Sequence, residues 1–154
     1  FYARGVLETV KKLRWVPKVI HCQGWMSAVV PLYIKTAYHD EPSFANTKVV
    51  TSLFSDGLGK PLDKNFKQCV EFREATADLL SEYSDVFDYQ TLCKLAIAYS
   101  DGIIPIDKDV NPELLDYAKE KNIPILKYNS DTFADDCEDF YNMLAPDEEE
   151  VEEE

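Results

Sequence analysis

Apolar and polar positions along this chain switch between a helical and a strand-like period. Val6, Leu7, Val10 and Leu13 recur at helical spacing, which predicts an amphipathic helix over Tyr2 to Arg14. Pro17 separates it from a short strand, Lys18 to Cys22. Trp25, Met26, Val29, Val30 and Tyr33 then give an apolar face to a helix over Trp25 to Tyr38, in which Pro31 predicts a kink or a late start. Lys48 to Phe54 is β-branched and nearly unbroken in apolarity, as buried parallel strands are. Phe66, Cys69, Val70, Ala77 and Leu80 mark a further helical face, and Asp88 caps a helix over Tyr89 to Tyr99.

A third strand follows at Gly102 to Ile106, where Pro105 removes a ladder donor and belongs at an edge or strand end. Asn111-Pro112-Glu113 is a helix start, with a capping amide, a proline in the first turn and an acid facing the dipole. That helix, to Lys121, leads to a fourth strand over Ile123 to Tyr128 and a last helix over Thr132 to Leu144. Strands alternating with helices predict right-handed βαβ units. The fold class is therefore α/β: a Rossmann-like parallel sheet of about four strands, helices on both faces, without the opening strands of a full domain.

Composition narrows this picture. The 154 residues, 45% hydrophobic, fit one folded domain, here 1–145. No apolar run reaches the roughly 20 residues that span a bilayer, and Phe1-Tyr2-Ala3-Arg4 enters a helix directly instead of a signal peptide. A soluble, cytoplasmic protein is expected, with no membrane partner. Cys22, Cys69, Cys93 and Cys137 form no C-x-x-C, so small buried thiols in a reducing compartment are expected, without a metal or cofactor. The net charge is −13, but seven acids lie within Asp147 to Glu154. Residues 146–154 are thus expected to be a self-repelling, disordered tail, and without it the charge is about −6. No nucleic-acid partner is expected, because phosphate contacts need a basic face.

Candidate chemistry concentrates where the first strand ends, at His21-Cys22-Gln23-Gly24-Trp25. Ligands of open α/β folds sit at the carboxyl ends of the strands. His21 is either a hydrogen-bonded strand-end residue or a contact to a sugar or nucleotide, and Trp25 either core or a sugar platform. His21 and Cys22 point to opposite faces and form no nucleophilic pair. Gly57-Leu58-Gly59-Lys60 lacks phosphate-loop spacing and reads as a turn, as does His39-Asp40-Glu41.

The frame His21-Cys22-Gln23-Gly24-Trp25-Met26-Ser27-Ala28, followed by Pro31-Leu32-Tyr33-Ile34-Lys35, resembles the starch and glycogen synthases, in which it reads H-x-H-D-W-H-[AT]-G/A and then P-x-Y-L. Arg4 to Val10 and Leu95 to Ile104 are also similar to that family, especially its short bacterial members. The resemblance implies part of the amino-terminal half of a GT-B glycosyltransferase, which moves glucose from ADP-glucose to an α-1,4-glucan. The substrate-binding residues it implies are His21, Gln23, Gly24, Trp25, Met26 and, from a strand end similar to T-V-H-N, Ser52.

Three polar letters of the motif are changed. Gln23 replaces a histidine, Gly24 an aspartate, and Met26 the histidine implicated in the family's active site. Methionine neither donates a strong hydrogen bond nor exchanges a proton at neutral pH. The family's K-x-G-G-L loop and the Arg, Lys and Glu of its second domain have no counterpart in this sequence. No catalytic residue is assigned, and this chain alone is expected not to transfer glucose. The implied partners are an α-glucan or a nucleotide-sugar; the alternative is a noncatalytic module that binds glucan or protein.

Overall fold

A computed structural model describes residues 1–55 and 57–147. Its sheet has three parallel strands in the order β1 (Val19–Cys22), β2 (Lys48–Leu53), β3 (Gly102–Pro105). In register, His21 lies beside Val50 and Ser52 beside Ile104. The fold is Rossmann-like, as expected, but the sheet is narrower than four strands. Ile123 to Tyr128 contributes one parallel bridge, Ile103 to Ile125. There the Ile103 N–H donates to the Pro124 carbonyl and the Leu126 N–H to the Ile103 carbonyl, both at 2.9 Å. The donor that would carry the ladder further belongs to position 105, a proline without an N–H.

Alternation along each strand divides the core into two layers. Ile20, Cys22, Val49, Leu53 and Ile103 face one side, against α1 (Tyr2–Lys12), α2 (Val30–Lys35), α5 (Tyr89–Ala98) and α6 (Pro112–Glu120). Val19, Val50 and Ile104 face the other, which α7 (Phe133–Leu144) covers with Phe140 and Leu144. Gly102 permits that approach: a Cβ there would lie 2.7 Å from both Phe140 and Leu144.

Side-chain caps open two of the helices, α5 and α6. The Thr91 N–H donates to Asp88 Oδ1 at 2.8 Å, and the Glu113 N–H to Asn111 Oδ1 at 3.0 Å. The predicted helix over Trp25 to Tyr38 is instead a 3₁₀ turn, Trp25–Ser27, followed by α2 with Pro31 in its first turn, so the proline marks a late start. The apolar face at 66–80 is shared by two short helices, α3 (Phe66–Val70) and α4 (Ala77–Leu80), separated by the bridge between Phe72 and Ala75.

Cys22 and Cys93 are buried, Cys137 is half-buried and Cys69 is exposed. No helix among the described residues is long and apolar enough to cross a membrane. Within the predicted tail, Asp147 pairs with Lys18, and 148–154 lie outside the described residues.

Candidate functional site

The end of β1 sends its side chains in three directions. His21 faces the α7 layer, where its ring is held at both nitrogens. Nδ1 lies 2.5 Å from the Tyr141 hydroxyl and Nε2 2.6 Å from Ser52 Oγ. The Tyr141 ring meets the imidazole edge-on, centroids 5.7 Å apart. A neutral imidazole offers one donor and one acceptor, so one hydroxyl gives a proton to the ring and the other accepts one. Burial lowers the His21 pKa below its ordinary 6.5, which favours that neutral form. Ser52 is itself buried, so this cluster lies beneath α7 and not in open solvent.

Cys22 points to the opposite layer, where burial pushes its thiol up to about 12. It is a packed, unreactive thiol on the far side of the sheet from the imidazole.

Beyond Cys22 the chain turns outward. Gln23 is exposed, and Gly24 adopts φ 77° and ψ 159°, a region essentially reserved for glycine. The Ser27 hydroxyl lies 2.9 Å from the carbonyls of both Gln23 and Gly24 and ties the loop back on itself. Trp25 and Met26 follow at 40% and 53% exposure. They border an aromatic pocket of about 220 Å³ with Tyr2, Tyr33, Phe66 and Cys69.

The six residues singled out from sequence therefore fall into two groups. His21 and Ser52 share a hydrogen-bonded cluster under α7, whereas Trp25 and Met26 lie on the α1 side, with Gln23 and Gly24 between. Tyr141, which completes the first group, was not identified from sequence. Its neighbours Phe140 and Leu144 mark the buried face of a helix, but nothing local ties position 141 to a histidine 120 residues earlier.

The other candidates are turns. Gly57 packs under the Tyr89 ring, and the next helix begins only at Phe66. His39 Nδ1 contacts the Thr36 carbonyl at 2.6 Å. Among the described residues no group of three His, Cys, Asp or Glu is arranged to hold a metal.

Comparison with known proteins places the sequence in a family. Residues 1–125 match the starch synthase catalytic domain. The glycogen synthase of Clostridium perfringens is 31% identical over 144 residues, which cover 85% of this chain and 26% of that protein. The glycogen synthase of Chlorobium luteolum is 42% identical over 53 residues, 34% of this chain and 11% of the relative. No solved structure matches. The chain thus spans about a quarter of the length of the clostridial relative, and α7 lies beyond residues 1–125, the span of the family match. The chain belongs to the starch synthase catalytic-domain family.

Proposed function

We propose that this chain forms one wall of a glucosyltransferase crevice of the starch and glycogen synthase type, whose complete reaction moves glucose from ADP-glucose to an α-1,4-glucan. The observation that carries this reading is the exposed loop Gln23 to Met26, at the carboxyl end of a parallel strand inside the family-matched span. In it the Gln23 amide supplies a donor and an acceptor suited to sugar hydroxyls. Gly24 allows close approach to the backbone, and the Trp25 ring offers an apolar face to a pyranose. His21 and Ser52 support the loop from the α7 side, and meet a ligand only where Tyr141 yields its place. A cytoplasmic setting is part of the same proposal, supported by free thiols and no disulfide among the described residues.

Transfer itself requires charge stabilisation on the departing diphosphate and exclusion of water. This wall offers neither, and Met26 cannot exchange a proton. The chain alone is therefore expected to show no transfer from labelled ADP-glucose to glycogen, while calorimetry detects binding of maltooligosaccharides or ADP. Transfer that disappears in His21→Ala would overturn the inactivity; no binding of either ligand would overturn the crevice. The exposed Met26 at the motif's histidine position favours a second reading, a noncatalytic glucan-binding module. Glucan binding without ADP binding would select it.

A further inference from the structure

Among the described residues, Tyr141 makes the one side-chain hydrogen bond from α7 to the sheet, and it lands on His21. The Tyr141 hydroxyl lies 2.5 Å from Nδ1 while Ser52 Oγ lies 2.6 Å from Nε2. A neutral imidazole has one donor and one acceptor, so the ring is left with nothing to offer a ligand. A phenol hydroxyl has the same donor and acceptor capacity as a sugar hydroxyl, and the two compete for the same nitrogen. Ser52 belongs to β2 and stays beside the ring when α7 lifts, so only the Tyr141 contact is exchanged.

The helix that carries the phenol is lightly attached. Of its 12 residues only Phe140 is buried. Phe133, Cys137, Phe140, Tyr141 and Leu144 form the single stripe that meets the sheet. Ala134, Asp135, Glu138, Asp139, Asn142 and Met143 are exposed. Thr132 precedes the helix without capping it, and its hydroxyl donates to Asp136 at 2.6 Å instead. The lead-in from Asn129 to Thr132 is exposed throughout. Beyond the helix, Asp147 pairs with Lys18 in solvent, where such pairs add little. An element with so little buried surface opens at lower cost than the core strands.

We propose that α7 is a latch on the crevice. With the Tyr141 hydroxyl on His21 the crevice is closed on the α7 side; a glucan hydroxyl that takes the same nitrogen releases the helix. This latch presupposes the glucan-binding crevice proposed above and adds how that site is regulated. Docking of α7 and binding of glucan at His21 exclude one another, so each weakens the other by the same factor. The affinity for glucan is then the intrinsic value reduced by the fraction of molecules in which the latch is open.

Tyr141→Phe keeps the apolar stripe and removes only the hydroxyl. The full chain and this variant are compared by calorimetry with maltoheptaose and by amide hydrogen exchange. Loss of one hydrogen bond from the closed form is expected to tighten maltoheptaose binding by about threefold to tenfold. In the native chain, saturating maltoheptaose is expected to speed exchange of the amides from Cys137 to Leu144 by about threefold or more, with β2 amides unchanged. An affinity in the variant equal to or below the native one would overturn the latch and leave the crevice standing. So would α7 amides that the sugar leaves unchanged or slows. Maltoheptaose bound by neither form would sink the crevice, and the latch with it.

Discussion

His21 is held because three elements converge on it: β1 supplies the ring, β2 supplies Ser52 and α7 supplies Tyr141. Its lowered pKa, caused by burial, makes the protonated ring a liability to the fold. The unfolded chain takes up the proton first as pH falls through about 6.5, so the stability that the neutral ring confers is present above that value and lost below it. Urea titrations at pH 7.5 and 5.5 are expected to show the native chain losing more stability than His21→Gln, which has nothing to protonate. Equal losses would mean that the ring is not desolvated. Gly24 constrains the same loop differently. Its backbone lies where any side chain is strained, the family's aspartate included. Gly24→Asp is therefore strained in this loop as it stands.

Among elements, α7 depends on a glycine in the sheet beneath it. Gly102→Ala would drive a methyl into Phe140 and Leu144, and is expected to destabilise the fold by about 1–3 kcal/mol, measured as a fall in the urea midpoint at unchanged slope. No change would show that α7 slides freely on the sheet. The elements legible in the sequence were those written in local chemistry. Asp88 and Asn111-Pro112 announced their helices, and the unbroken apolarity of β2 announced a strand covered on both faces. What escaped depended on partners distant in the chain. The fourth strand was lost because Pro105 removes the donor a neighbour would need, although the segment itself is apolar. The helix over Trp25 to Tyr38 divided because the loop closes on the Ser27 hydroxyl before α2 begins. The site was legible as a location, the end of β1, but not as an arrangement. Periodicity sets His21 and Cys22 on opposite faces; it does not say that Tyr141 waits on one of them.

At the scale of the whole molecule, two layers of unequal completeness share one small sheet. The layer with α7 is closed over its hydrogen-bonded cluster, while the α1 side leaves Val6, Leu13, Trp15 and Met26 exposed. The described residues thus hold a closed core on the α7 side beside exposed apolar positions on the α1 side. The sheet separating the layers also decides how substitutions combine. Residues adjacent in sequence but on opposite faces share no partner, whereas residues far apart in sequence are joined through His21. In a double-mutant cycle, His21→Gln with Tyr141→Phe is expected to deviate from additivity by about 1 kcal/mol. His21→Gln with Cys22→Ala is expected to add within about 0.5 kcal/mol. Changes that accumulate at positions 21 and 22 are then energetically independent, while position 21 is tied to a residue 120 positions away in the chain.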